Sequence, residues 1–335
     1  MNRPSQVDVA LCGDRNFLPG MAATLAGALR SLPRRTGLRA HLLVSGIEED
    51  LLARLERNLQ ARYPRFSLDY RDVGSVTALR PFAKFRLGRM AMARILLPDI
   101  FTGLGRFIYL DGDVIVNASL AEFLATSLGG ATLAGGYATW RGYILDERWN
   151  LNTAHLPAGY SIPQDARYLN NGIFMMDAAR YRKHGFGQKV LQVAENLVND
   201  NDMADQAAMN IVLHEHWLAL DERWNYTVML GGDEPAWLPA FPALVHTVGP
   251  LKPWHFPPGP HQGLVSRWHR DYALTGLGEL LPPAPTHRYP PETISFKAGT
   301  RAHIQLQRER IRRVDFPPLQ AYRRWKHARA ARTRP

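Results

Sequence analysis

Residues 109–116 read YLDGDVIV, and within that run Asp111 and Asp113 bracket a single glycine between two apolar stretches. Carboxylates so close together at the edge of a low-dielectric core repel each other, so one must take up a proton or both must share a cation. A hard divalent ion, Mn2+ or Mg2+, meets that demand, because it prefers oxygen ligands and brings substrate phosphates with it. Many Asp-x-Asp pairs are solvated turns, but the flanking FIYL and VIV set this one at a buried strand end, and metal binding is the expectation. Gly112 would let metal and phosphate approach the backbone closely. His246, in HTVGPLKPW, is the candidate third ligand. A lone histidine after an apolar strand is more often a core residue. Here Gly249 and Lys252 follow at three-residue steps and offer a close backbone approach and a cation to a diphosphate. His214 and His216, two apart on a helical stretch, point to different faces and are set aside as a metal pair.

The elements that must position these groups alternate. VDVALCGD reads as a buried strand, LPGMAATLAGALRSL as a helix, LRAHLLVS as a strand, EEDLLARLERNL as a helix and FSLDYRDV as a strand. That alternation predicts an α/β fold with a mostly parallel central sheet flanked by helices. Ligands of such sheets gather at the carboxyl ends of the strands, where Asp14 and the Asp111/Asp113 pair fall. Further along, NNGIFMMDA reads as a strand, GQKVLQVAENLV and MADQAAMNIVL as helices, and LVHTVGP as a short strand entering a loop. Residues 140–168 lack periodicity and read as a long functional loop, a second surface for a second substrate.

The 335 residues, 46% hydrophobic, suffice for a large core. Cys12 is the only cysteine, which excludes an internal disulfide and suits a reducing compartment. No secretory leader and no apolar run of spanning length is read, so the expected location is cytoplasmic. Residues 301–335 hold eleven Arg and Lys against two acidic residues, so the tail carries +9 of the formal net charge of +11 and the body +2. Basic residues mixed with Phe316, Tyr322 and Trp325 fit an anionic membrane face, with peripheral attachment to the inner side of the cytoplasmic membrane and no nucleic acid expected. No phosphate-binding G-x-x-x-x-G-K-S/T loop and no G-x-S-x-G elbow is present, which removes the commonest nucleotide hydrolase and serine esterase readings.

In motif order, over roughly residues 7–255, the chain resembles glycosyltransferase family 8, the retaining sugar-nucleotide transferases that include lipopolysaccharide glucosyl- and galactosyltransferases. The resemblance implies a single GT-A domain, residues 1–281, followed by a Pro-rich linker and basic aromatic tail, residues 282–335. It implies that CGDRNF holds the uracil and ribose of a UDP-sugar donor through Cys12, Asp14, Asn16 and Phe17. Arg94 in MARILLP would neutralise donor phosphate or sugar oxygens. Asp111 and Asp113 match the metal aspartates, and Asp111 would also touch the donor sugar. Asn170 of LNNGIFMMD and Asp205 of ADQAAMN would hold sugar hydroxyls, with Gln206 against the anomeric carbon opposite the leaving diphosphate. His246, Gly249 and Lys252 match the metal-histidine and diphosphate loop.

The expected activity is transfer of glucose or galactose to a glycan or glycolipid acceptor, lipopolysaccharide core or another surface glycan. A neutral glutamine is a poor nucleophile, so front-side attack is expected, with Asp205 the alternative covalent partner. A nucleotide-sugar hydrolase and a non-catalytic sugar-nucleotide-binding module are the competing readings.

Overall fold

The computed structural model describes residues 5–83, 88–138, 142–145, 156–197, 204–230, 242–256 and 263–281. Apart from Gly142, these belong to one compact unit, Met1–Ala138 with Tyr143–Arg288. The second unit, Thr139–Gly142 with Tyr289–Pro335, otherwise lies outside the described residues, as do the linker and tail expected at 282–335 and parts of the 140–168 loop.

The chain begins with β1 (Gln6–Asp14), α1 (Leu18–Ser31), β2 (Gly37–Ser45), α2 (Glu49–Arg62) and β3 (Phe66–Asp72). These are the five elements read from the opening sequence. β1 and β2 are near-continuous apolar runs because helices cover both faces of a parallel sheet. In α1 every residue from Leu18 to Leu29 is buried, and Pro19 sits in its first turn, where a missing N–H is harmless. α2 is amphipathic, burying Leu51, Leu52, Leu55 and Leu59, with Glu49 and Asp50 at its positive end and Arg62 in its last turn.

There follow α3 (Gly88–Ala93), α4 (Leu97–Ile100), β4 (Arg106–Leu110), β5 (Val114–Val116), α5 (Leu120–Leu124), β6 (Leu133–Tyr137) and β7 (Leu169–Asp177). Next come α6 (Ala178–Lys183), α7 (Phe186–Leu197), α8 (Ala204–Leu213), β8 (Trp217–Ala219), β9 (Tyr226–Met229), β10 (Leu244–Val248) and α9 (Gly263–Tyr272).

The main sheet has seven strands in the order β3-β2-β1-β4-β7-β6-β8, and β7 alone runs against the others. A smaller sheet has the order β5-β10-β9. FIYL and VIV, adjacent in sequence, therefore belong to different sheets, and the Asp-Gly-Asp turn is the point where the chain crosses between them. α9 closes the far side of α1, where Arg30 Nε donates to Asp271 Oδ1 at 2.6 Å and Trp268 stacks on Tyr272 at 4.9 Å. Among the described residues no helix is long and apolar enough to cross a membrane.

Candidate functional site

The two aspartates are held by opposite walls. Asp111 N–H donates to Gly172 O of β7 at 2.7 Å, while the carbonyl of Asp113 accepts from Thr247 N (3.1 Å) and Thr247 Oγ1 (2.7 Å) of β10. Because His246 pairs with Val114 across β5 and β10, its ring comes to the same turn. Its Nε2 lies 3.6 Å from Asp111 Oδ2 and 3.3 Å from Asp113 Oδ1. One potential ligand atom from each of the three residues lies within 4.8 Å of the others. His246 Nδ1 faces Asn225 Oδ1 at 3.3 Å, so a proton carried on Nδ1 would leave Nε2 available to a cation shared with the carboxylates.

The residues fit a divalent cation. Asp113 Oδ1 is buried with no hydrogen-bond partner among the described residues, and two carboxylates with one imidazole make a donor set suited to Mn2+ or Mg2+. A Cβ on Gly172 would lie 2.2 Å from His246 Cε1 and 2.6 Å from Asp111 Oδ2, so only glycine leaves room for the trio. At Gly112 a Cβ would meet Met21 Cγ at 2.9 Å, so the missing side chain also lets α1 pack against the turn.

Burial and the neighbouring Asp113 hold the Asp111 carboxyl above the usual carboxylate range, against Arg94 and His246. Burial opposes the charge of Asp113 as well, but Lys252 and His246 outweigh it and hold that carboxyl well below its ordinary value. The repulsion foreseen from the sequence is thus resolved unevenly, one carboxylate being paired with a lysine.

Arg94 is no surface residue. It follows α3, only 12% of its side chain is exposed, and its Nη1 lies 3.1 Å from Asp111 Oδ1 and donates to Asn171 O at 3.0 Å. Nε donates to Ala91 O at 3.0 Å and lies 3.7 Å from Asp205 Oδ2, and the guanidinium sits 5.0 Å from the centre of the Tyr109 ring. Burial works against the guanidinium charge, but Asp111, Tyr109 and Asp205 secure it and raise its pKa.

The first turn of α8 brings Asp205 and Gln206 against β7. Asp205 Oδ2 accepts from Asn171 Nδ2 at 2.9 Å and Gln206 Oε1 from Asn171 N at 3.1 Å. Asp205 Oδ1 and Gln206 Nε2 are buried without hydrogen-bond partners among the described residues. The helix is pinned by Asn210, which exchanges hydrogen bonds with Leu169 N (2.7 Å) and Leu169 O (2.9 Å).

Asn170 is placed on β7, but its Oδ1 accepts from Gly172 N at 2.9 Å and Asn225 Nδ2 at 3.0 Å. Its oxygen supports the histidine's partner, while the neighbouring Asn171 side chain joins Arg94 and Asp205. At the end of β1, Asp14 Oδ1 accepts from Asn16 N (2.9 Å) and Phe17 N (3.1 Å), closing the turn into α1. Phe17 is 37% exposed and meets Trp254 edge-on at 5.5 Å, which joins this turn to the loop after β10. Cys12 is buried beneath, and burial pushes its thiol up to about 12. In the loop after β10, Gly249 has φ +88°, a conformation that favours glycine. Lys252 donates to Asp113 Oδ2 and to Thr247 O.

The sequence reading missed Tyr109, whose OH donates to Asp111 Oδ1 at 2.7 Å, together with Asn171, Asn210 and Asn225. Asn171 and Asn210 lay inside quoted motifs, but nothing in RWNYTV singles out Asn225.

The open α/β sheet, whose fourth strand leaves through an Asp-x-Asp turn completed by a histidine from a second sheet, has the GT-A fold. A family profile described as Glycosyl transferase family 8 matches residues 8–257. The chain belongs to that family. It is 22% identical over 275 residues to General stress protein A of Bacillus subtilis (strain 168), covering 76% of this chain and 90% of that one. It shares its fold with the galactosyltransferase LgtC, solved with donor and acceptor sugar analogues, at TM-score 0.59 and 20% identity, over 84% of this chain and 98% of LgtC. The bifunctional glycosyltransferase WbbM matches at TM-score 0.64 and 19% identity, over 80% of this chain, and the chain spans 50% of the length of WbbM.

Proposed function

We propose that this glycosyltransferase moves a hexose, glucose or galactose, from a UDP-sugar to a glycan or glycolipid acceptor with retention of configuration. The observation that carries the reading is the meeting of Asp111, Asp113 and His246 beside Arg94, Asp205 and Gln206. Cleavage of a bond between an anomeric carbon and a diphosphate places negative charge on the leaving oxygen and positive charge on the sugar, and both need stabilising. A divalent cation, when held by Asp111, Asp113 and His246, supplies neutralising charge to the diphosphate. Lys252 and the backbone at Gly249 would serve the same oxygens. The uracil and ribose would lie against Cys12, Asp14, Asn16 and the exposed ring of Phe17. Arg94, Asn170, Asp111 and Asp205 are assigned to the donor sugar. The unpartnered Asp205 Oδ1 and Gln206 Nε2 support this, since buried polar atoms call for partners and sugar hydroxyls provide them.

Gln206 is a neutral amide anchored by Asn171 N–H, which favours front-side attack, the departing phosphate oxygen taking the acceptor's proton. A glycosyl adduct trapped on Asp205 would overturn that step. The acceptor proposed is lipopolysaccharide core or another surface glycan. The basic tail at 282–335 would hold the GT-A domain, 1–281, on the inner face of the membrane, and equal pelleting on anionic liposomes with and without residues 301–335 would dismiss this. UDP release across a panel of nucleotide sugars, with manganese, tests the whole reading. Turnover that depends on acceptor is expected. Equal release of free sugar without acceptor would indicate a hydrolase, and tight donor binding without turnover a binding module.

A further inference from the structure

Lys252 was expected on a diphosphate, and its ammonium lies instead on a metal-ligand carboxylate. Nζ donates to Asp113 Oδ2 and, at 2.9 Å, to Thr247 O, with 12% of the side chain exposed. The other oxygen, Asp113 Oδ1, is the one 3.3 Å from His246 Nε2 and without a hydrogen-bond partner among the described residues. A cation held by the trio and the Lys252 ammonium would therefore draw on the two oxygens of one carboxylate. Like charges that share a carboxylate repel strongly where water is excluded, and the side chains of Asp113 and His246 are 6% and 7% exposed.

The two cations of the site are mounted differently. Arg94 is held by the Ala91 and Asn171 carbonyls and by the Tyr109 ring as well as by acids, so its anchorage does not depend on a carboxylate alone. The Lys252 ammonium has two hydrogen-bond partners among the described residues, and its backbone N–H is anchored separately on His255 Nδ1 at 3.2 Å. Its flexible stem can move while the loop stays in place.

We propose that Lys252 is a built-in competitor of the divalent cation for Asp113, and that a diphosphate group draws the ammonium away, so that cation and nucleotide bind cooperatively. This rests on the metal site of the proposed function. Linkage makes the effect reciprocal: whatever factor UDP contributes to manganese affinity, manganese contributes to UDP affinity.

The test is calorimetric titration of the full chain with manganese, alone and with UDP. Lys252→Met is expected to bind manganese alone at least tenfold more tightly than the wild type, and to show a correspondingly smaller gain when UDP is added. Lys252→Gln, a second neutral variant, should behave the same way if Lys252→Met folds poorly, whereas Lys252→Arg keeps the charge and should bind manganese as weakly as the wild type. Unchanged or weaker manganese binding by both folded neutral variants, with metal and UDP still binding the wild type, would overturn the role of Lys252 alone. Failure of the wild type to bind manganese with or without UDP would overturn the metal site and this proposal together.

Discussion

Replacing Gly172 by alanine tests the candidate metal site separately from the rest of the fold. Gly172 does not have positive φ, so alanine meets no conformational penalty there and the whole effect is steric. The new Cβ would lie 2.2 Å from His246 Cε1, 2.6 Å from Asp111 Oδ2 and 2.9 Å from His246 Nδ1, whereas ordinary contact starts at 3.4 Å. The imidazole must retreat by about 1 Å, and disturbing what orients a metal ligand typically costs about 10–100-fold in metal affinity. It cannot retreat freely. Its backbone is paired with Val114 on one side and Thr227 on the other, and its Nδ1 faces Asn225 Oδ1 at 3.3 Å. Overpacking adds about 2 kcal/mol of destabilisation, which for a chain of this size lowers the melting temperature by only a few degrees. Gly172→Ala should therefore remain folded in thermal unfolding without metal, while manganese binding followed by calorimetry in the presence of UDP weakens between about tenfold and a hundredfold. A folded variant that binds manganese with wild-type affinity would refute the claim that this glycine makes room for the ligands.

Two further predictions concern stability. Asp8 lies directly opposite Arg39 in the β1–β2 register; burial works against its charge, but hydrogen bonds from His41 and Arg39 prevail and lower its pKa. A carboxyl lowered in the folded state stabilises above its unfolded pKa of about 3.9 and loses that contribution as pH falls through the folded value. Melting temperatures of the wild type should thus drop across this acid window, and Asp8→Asn should be less stable by about 2 kcal/mol at neutral pH with a flatter acid profile. An unchanged profile would remove Asp8 from the account. Asn210→Ala leaves Leu169 N–H and C=O without their side-chain partners, so urea unfolding should show a loss of about 3 kcal/mol. A loss below about 1 kcal/mol would mean that water or a shifted strand replaces the amide.

What the sequence made legible follows from which interactions are local. Parallel strands covered on both faces announce themselves as apolar runs, so β1, β2 and the Asp111/Asp113 turn could be read directly, and the order of motifs placed His246 with them. β6, with the sequence LAGGY, could not, because two adjacent glycines argue against a strand on propensity. They are there for a tertiary reason: a Cβ at Gly135 would meet Leu169 Cδ1 at 2.7 Å, and one at Gly136 would meet Asn225 Cβ at 2.7 Å. Gly136 thus admits Asn225, Asn225 orients His246, and Asn170 holds Asn225 through its Oδ1 at 3.0 Å. No step of that relay is periodic or close in sequence, since it crosses from β6 to the turn before β9, then to β10 and back to β7. The same logic separates the two cations. Arg94 in MARILLP has the sequence appearance of a surface helix residue and becomes a buried anchor only because β4 and β7 bring Asp111 and Asn171 to it. Lys252 has the appearance of a phosphate ligand and becomes the partner of Asp113 only because β5 and β10 pair antiparallel. Residue type and order predict which groups meet at a sheet's carboxyl edge, whereas which acid each cation neutralises is decided by strand register.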